Sequence, residues 1–298
     1  MTSKLRRRGI NRDSRDIRDF ITGQLVPAYD RMTVRQVFYQ CASVAALVPK
    51  TERGYRKVQR QVLAMRESNE LSWSFIADGT RWQRKPSTWG SSEDALDNMA
   101  RSYRRNLWQS QGYRVEVWLE KDALADVIID TTSRWDVALM VSRGQASATF
   151  LHSAAMQAQE MWDREEVETV ILTLYDHDPG GLLRAQPTVA RDLPRYSPDV
   201  PIYIRHLAVT PGQIATWNLP TRPGKLKDAQ AKKWGNRPNV ELDAIDPTRL
   251  NTLVDNAIQQ WVEPHAWEVE QAVEANEREG LRRLAEATRK TEAADDDT

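Results

Sequence analysis

Residues 170–181, VILTLYDHDPGG, decide the fold class of this chain. The first six residues are largely apolar and are typical of a buried strand, and two aspartates one residue apart follow at its carboxyl end. Residues 115–121, VEVWLEK, repeat the pattern with a single carboxylate, Glu120. Ligand sites of open parallel sheets lie at the carboxyl ends of the strands. We therefore expect the three carboxylates at one edge of a sheet.

The segments around these two strands predict an α/β domain. Residues 137–141 and 201–209 are further apolar runs, and helical segments at 122–130 and 146–164 separate the strands. A β-α-β-α-β order implies a mostly parallel sheet with helices on its faces. The predicted organisation is a basic disordered arm at 1–13, a DNA-binding domain at 14–90, a connecting helix at 91–112, the sheet domain at 113–210, and a helical C-terminal extension with an acidic tail at 211–298.

The N-terminal part has the pattern of a winged helix-turn-helix domain. An amphipathic helix at 17–25 precedes a second helix that opens with a capping-box pair, Thr33 and Gln36. A third helix at 51–68 precedes two short aromatic runs joined by Asp78-Gly79, which signals a tight hairpin. The basic third helix would read the DNA groove. Its candidate contacts are Arg53, Arg56, Lys57 and Arg60.

The charge distribution, the cysteine content and the apolar content limit the classes of protein to which this chain can belong. Residues 1–110 carry a net charge of about +10, which the remainder cancels to zero. A basic N-terminal third is typical of a nucleic-acid-facing module, although an Arg-rich surface can also be merely solvated. The chain has a single cysteine, Cys41, which excludes a disulfide framework and a cysteine zinc site. The chain contains no run of eighteen apolar residues, so no membrane span is predicted and we expect a cytoplasmic protein.

Glu120, Asp176 and Asp178 together form an oxygen-rich set that suits Mg²⁺, with one or two ions held next to phosphate. Asp-x-Asp-Pro-Gly taken alone can instead be a turn in which an aspartate accepts local hydrogen bonds. The position on the sheet favours the metal site.

At these residues the chain resembles a known family. Glu-Lys after a first strand and Asp-x-Asp-Pro-x-Gly after a third are similar to a Toprim domain. The loop Val141-Ser142-Arg143-Gly144 resembles that of the topoisomerase VI A subunit and of its relative that makes meiotic double-strand breaks. Residues 35–39, RQVFY, resemble the segment of those proteins that carries the nucleophilic tyrosine, although Gln36 departs from the usual acidic residue. The length is closest to the short stand-alone Mini-A relatives of plasmids and bacterial viruses.

The resemblance implies a CAP-like winged helix followed by a Toprim, Rossmann-like sheet. It implies that Tyr39 is the nucleophile of a DNA-cleaving transesterase, with Arg35 beside it and magnesium on the three carboxylates. Lys121 and Arg143 would contact DNA. The implied partners are double-stranded DNA, a second copy in which one subunit's tyrosine meets the other's metal site, and a separate ATPase B-type subunit.

Two other functions stay open. Some Toprim proteins cut DNA with metal and water and need no tyrosine, and the chain could also be a DNA-binding subunit that is active only within an assembly. For Tyr39 the alternative role is an aromatic that packs against a neighbouring element. On the helical wheel it falls outside the apolar stripe, on the polar face together with Arg35.

Overall fold

The structure, a computed structural model, describes residues 12–77, 87–142, 144, 146–222 and 233–296. Several predictions fall wholly or partly outside these ranges. Among them are residues 1–11 of the basic arm, the Asp78-Gly79 turn, Arg143, and residues 223–232 and 297–298 of the C-terminal extension.

A four-stranded parallel sheet forms the centre of the molecule. Its strands are β1 (Tyr113–Leu119), β2 (Ala138–Val141), β3 (Glu168–Leu174) and β4 (Ile202–Ala208). The order across the sheet is β2-β1-β3-β4, and every neighbouring pair is parallel. This confirms the α/β fold class and the four strands predicted from the sequence, with ends shifted by one or two residues.

The α-helices in the described residues are α1 (Arg12–Phe20), α2 (Val26–Ala28), α3 (Val34–Tyr39), α4 (Glu52–Glu67), α5 (Ser92–Ser102), α6 (Ala125–Arg134), α7 (Ala148–Glu165), α8 (Gln186–Tyr196), α9 (Pro211–Thr216), α10 (Pro247–Gln259) and α11 (Pro264–Asp296). None of them combines the length and the apolar composition that a bilayer crossing requires. A 3₁₀ turn at Asp122–Leu124 precedes α6, and another at Leu242–Ala244 precedes α10.

Both faces of the sheet are covered, because successive strand side chains point to opposite sides. Val117 and Leu172 pack with α6, α10 and α11 in one cluster. Trp118 and Ile171 pack with α7 and α8 in another. The first cluster contains residues from both the predicted sheet domain and the predicted C-terminal extension, so the extension is packed directly on the sheet.

Helices α1, α3 and α4 form a separate apolar cluster around Ile17, Phe38 and Val58. The predicted arm is partly wrong, because α1 begins at Arg12 and residues 12 and 13 are helical. The predicted first hairpin strand is also wrong: Trp73–Phe75 is a 3₁₀ turn, and Ile76 makes one isolated parallel bridge to Met32. The helices of the N-terminal domain are present, and its wing is not confirmed.

The connecting helix is shorter than predicted. It ends at Ser102, and the following residues run along α11, where polar contacts replace helical hydrogen bonds. The Tyr103 hydroxyl donates to Glu277 at 2.6 Å, and Arg105 Nε donates to Glu270 at 2.6 Å. These contacts join residues more than 160 positions apart, so a local pattern cannot reveal them.

π-helical turns interrupt three helical segments, and two of them lie directly after the predicted site motifs. Gln40–Val44 comes after Tyr39, and Gly181–Ala185 comes after the Asp-x-Asp-Pro-Gly sequence. A π turn adds a residue to the helical repeat and rotates the side chains that come after it about the helix axis. Val44, the last residue of the turn after Tyr39, is 69% exposed.

Candidate active site

Glu120 and Asp176 meet at the carboxyl edge of the sheet. Leu119 and Leu174 are paired in register at the ends of β1 and β3, and Glu120 N donates to Leu174 O at 3.1 Å. The backbone N–H of Asp176 then donates to Glu120 Oε2 at 3.1 Å. The structure thus brings these two predicted ligands together, as the parallel register requires.

Asp178 closes the turn after β3. Its Oδ1 accepts the backbone N–H of Gly181 at 2.8 Å, which is the local acceptor role of the turn interpretation. Gly181 approaches the preceding backbone so closely that a Cβ there would lie 2.3 Å from the carbonyl oxygen of Asp176. Gly180 and Gly181 therefore allow the tight turn that positions Asp176 and Asp178.

Lys121 lies in the centre of the site. Its Nζ is 3.0 Å from Asp176 Oδ2 and 2.7 Å from Asp243 Oδ2. The other oxygen of Asp176 accepts the backbone N–H of Leu242 at 2.7 Å, and Asp243 Oδ1 accepts the Thr33 hydroxyl at 3.1 Å. Residues 239–246, which we call the strap, therefore connect the sheet edge to the N-terminal helices.

Burial changes the pKa of two of these carboxyl groups, Glu120 and Asp176. Burial, helped by the charges of Asp176 and Asp178, raises the pKa of Glu120 to about 7, against the Asp176 N–H bond and Lys121, which lower it. Burial also raises the pKa of Asp176 to about 6, although Lys121 and the Leu242 N–H oppose this. Perturbed carboxyl groups at a sheet edge are typical of a functional site.

The donor chemistry of these carboxylates fits a divalent cation, whose charge would offset the burial of Glu120 and its repulsion by Asp176 and Asp178, the causes of its raised pKa. In the described part of the chain, however, no group of three or more His, Cys, Asp or Glu side chains is arranged to hold a metal ion. Asp176 and Asp178 are tied to Lys121 and to backbone donors. Magnesium binding by Glu120, Asp176 and Asp178 stays a prediction.

Tyr39 is buried, with 4% of its surface exposed, so the polar helix face on which it was predicted to lie is covered. The strap and Arg222 cover that face: the 3₁₀ turn Leu242–Ala244 packs on α3, and the Arg222 guanidinium lies 5.5 Å from the ring centroid of Tyr39. The hydroxyl has no hydrogen-bond partner within the described residues. Burial and the nearby charge of Glu241 raise the pKa of Tyr39, against Arg222, Arg35 and Lys121.

A chain of charged contacts joins Tyr39 to the carboxylates within one molecule. Arg222, which lies on the Tyr39 ring, pairs with Glu241. Glu241 Oε2 is 3.5 Å from Arg35 Nε and 3.7 Å from Lys121 Nζ, and Lys121 pairs with Asp176. Arg35 thus lies beside Tyr39, as predicted, and also covers the Tyr55 ring at 4.3 Å.

The residues predicted to contact DNA lie in different parts of the structure. Arg53, Arg56 and Arg60 are exposed on α4. Arg56 pairs with Glu52 at 3.4 Å, and Lys57 pairs with Asp13 at 2.9 Å. Lys121 is part of the site just described, and Arg143 lies outside the described residues. A cleft of about 590 Å³ runs between α4 and the 3₁₀ turn after β1, and its cationic lining residues are Arg35, Arg66 and Lys121.

Sequence reasoning missed Arg222, Glu241 and Asp243. All three lie in the C-terminal region, where no motif marks them, and only the folded chain brings them to the sheet edge. The antiparallel bridge between Val240 and His177 places the strap there. His177 Nδ1 is 2.9 Å from the carbonyl oxygen of Pro238, so this histidine has a structural partner.

No protein-family model matches this chain, and no curated protein is similar to it in sequence.

Proposed function

We propose that the protein cleaves double-stranded DNA by magnesium-dependent tyrosine transesterification, as the resemblance to the topoisomerase VI A subunit implies. The observation that carries the proposal is the continuous contact from Tyr39 through Arg222, Glu241 and Lys121 to Asp176. A tyrosine, cations and carboxylates at one sheet edge are the groups that this reaction needs.

The reaction exchanges one phosphoester bond for another. The phenolic oxygen of Tyr39 attacks phosphorus in line, and the ester bond to one deoxyribose oxygen breaks as the phenol–phosphorus bond forms. The phenol loses its proton, and the departing sugar oxygen gains one. Arg35 and Lys121 stabilise negative charge on the phosphoryl oxygens.

Glu120, Asp176 and Asp178 would hold one or two magnesium ions. When bound, magnesium supplies positive charge for the leaving or attacking oxygen. Asp176, which now pairs with Lys121, would be one of the residues that hold the metal, and the Lys121 ammonium would keep its ion pair with Asp243 while it faces phosphate.

The N-terminal helices form the DNA-binding half in this proposal, as a winged helix with α4 facing the groove. The Toprim description of the sheet, the homodimer and the separate ATPase subunit belong to the same proposal and rest on the sequence resemblance. Within one chain Arg222, Glu241 and Lys121 link the tyrosine to Asp176, so we propose that each subunit completes its own site.

A second function is favoured by the burial of Tyr39. A hydroxyl with 4% of its residue exposed and a raised pKa is a poor nucleophile until something uncovers it. In metal-dependent hydrolysis a water would attack the phosphate and Tyr39 would only pack against the strap.

Cleavage of supercoiled plasmid separates the two functions. Wild type, Tyr39→Phe and Asp176→Ala are incubated with magnesium, stopped with SDS and analysed with and without protease. Transesterification predicts protein-linked nicked or linear DNA from the wild type alone. Cutting by Tyr39→Phe at the wild-type rate, lost in Asp176→Ala, would establish hydrolysis instead.

A further inference from the structure

Two arginines next to Tyr39 share a single carboxylate. Arg35 comes from α3 and Arg222 from the segment that pairs with Asn239 of the strap. Glu241 is the ion-pair partner of both, with Oε1 toward Arg222 and Oε2 3.5 Å from Arg35 Nε, and neither arginine has another such partner in the described ranges. Among the described residues Glu241 is therefore the carboxylate that the two guanidinium groups share.

The hydrogen bonding around Glu241 is incomplete. Both Glu241 Oε2 and the Tyr39 hydroxyl are buried and lack hydrogen-bond partners among the described residues. A buried polar atom without a partner destabilises the folded chain. The Glu241 carboxylate thus neutralises the arginines without accepting the hydroxyl proton of the neighbouring tyrosine.

A phosphodiester matches this place better than a carboxylate does. Its two non-bridging oxygens accept from the planar forks of two arginines, and such charge-assisted pairs are among the strong hydrogen bonds of proteins. It also offers an oxygen acceptor to the unpartnered hydroxyl. Lys121 Nζ, 3.7 Å from Glu241 Oε2, lies at the inner side of the same position.

We propose that Arg35 and Arg222 form the binding site for the DNA phosphate next to Tyr39, and that Glu241 occupies this site as an internal anion until DNA displaces it. This inference rests on the proposed function, because it names the groups that hold the substrate there. It assigns Arg222 as a binding residue and Glu241 as a competitor.

The strap is built so that Glu241 can move without loss of the site. Neighbouring residues are fixed on the sheet side, where Leu242 N donates to Asp176 and Val240 pairs with His177. Asp243 is fixed by Lys121 and Thr33. Only the side chain of Glu241 has to rotate away from the arginines.

Equilibrium binding without magnesium tests this proposal. A fluorescently labelled 20-base-pair duplex is titrated in EDTA at fixed salt, and the anisotropy is followed for wild type, Glu241→Gln, Arg222→Gln and the double variant. Glu268→Gln is the matched control, because it removes one negative charge from an exposed position on α11.

Glu241→Gln is expected to tighten binding on the order of tenfold, because it removes a competing charge and keeps the side-chain shape. Arg222→Gln is expected to weaken binding and to lower the salt slope by about one. In the Arg222→Gln background the gain from Glu241→Gln shrinks, since the two residues act at one site.

Equal affinities of Glu241→Gln and Glu268→Gln would overturn the proposal, as would unchanged binding by Arg222→Gln. Thermal melts of each variant confirm that the fold is intact before binding is compared. Because no cleavage occurs in EDTA, the binding result does not depend on whether Tyr39 is the nucleophile. Failure of the plasmid assay would reject the proposed function and leave the phosphate site intact, and failure of the binding assay would reject the phosphate site alone.

Discussion

Lys121 is the residue that connects the two parts of the candidate site. Burial alone would lower the pKa of its ammonium, but Asp243, Asp176 and Glu241 together raise it, so the group is charged at all physiological pH values. Without this charge two buried aspartates would face each other unneutralised. The lysine thus holds the strap on the sheet edge, and in the proposed function it is also a cation for the substrate.

Replacement of Lys121 by methionine is expected to destabilise the protein by about 3 kcal/mol, because it removes one partner of a buried ion cluster and leaves Asp176 and Asp243 uncompensated. Urea unfolding followed by tryptophan fluorescence measures the change. Lys233→Met, at an exposed position, is the control. Equal stability of the two variants would show that Lys121 has no such structural role.

Glu120 predicts a distinct pH dependence. Its pKa is about 7 in the folded chain and near the ordinary 4.5 in the unfolded one, so the folded state binds the proton more tightly. The resulting stabilisation is complete below pH 4.5 and is lost as the pH rises through 7. The Glu120→Gln variant lacks the titrating group and therefore cannot lose this stabilisation. Its melting temperature in EDTA should fall less than that of the wild type between pH 5 and 8. If the melting temperatures of the two proteins changed equally with pH, the raised pKa of Glu120 would be contradicted.

At the scale of elements, the turn after β3 depends on Gly181. A Cβ at this position would lie 2.3 Å from the carbonyl oxygen of Asp176, and that oxygen belongs to backbone that cannot move alone. Gly181→Ala should therefore displace the aspartates, lower stability by about 1–3 kcal/mol and abolish magnesium-dependent cleavage. Gly212→Ala, where nothing lies within 4 Å, should have little effect. Wild-type activity of Gly181→Ala would disprove the close approach.

Helix α4 carries the predicted groove contacts. Arg56 and Arg60 are exposed one turn apart, and each is expected to neutralise one phosphate. Their individual replacement by glutamine should reduce the slope of log affinity against log salt by about one each. Arg282→Gln, on the exposed side of α11, serves as control and should keep the slope. An unchanged slope for both α4 variants would place the DNA elsewhere.

The elements also show how far local sequence can predict the fold. The four strands, α4 and the capping box of α3 were predictable, because apolar periodicity and a Thr-Gln pair act over a few residues. The end of α5 was not, since Arg105 leaves the helix to pair with Glu270 on a distant helix. The burial of Tyr39 was missed for the same reason, because the strap that covers it lies far away in sequence.

For the site, the strand-end rule was enough to predict that Glu120 and Asp176 lie together, and the structure confirms this. Nothing in the composition of residues 239–246 distinguishes Glu241 from other surface glutamates. Its position depends on tertiary packing alone, which no periodicity encodes.

At the scale of the whole molecule, the contacts within one chain predict that each subunit acts on its own. Mixed dimers of Tyr39→Phe and Asp176→Ala subunits, purified by two different affinity tags, are therefore expected to remain inactive in the plasmid assay. Homogeneous wild-type dimers prepared with the same tags are the control. Restored cleavage in the mixture would show that the tyrosine of one subunit meets the carboxylates of its partner, as the resemblance implies.

The most direct test of the central claim is mass spectrometry of the protein trapped on cleaved DNA. After SDS treatment, nuclease and trypsin, the peptide spanning residues 36–50 contains Tyr39 as its single tyrosine. We predict that this peptide carries a nucleotide linked through phosphate to Tyr39 and that the Asp176→Ala protein yields only the unmodified peptide. Cleaved DNA accompanied by an unmodified peptide from the wild type would contradict the account.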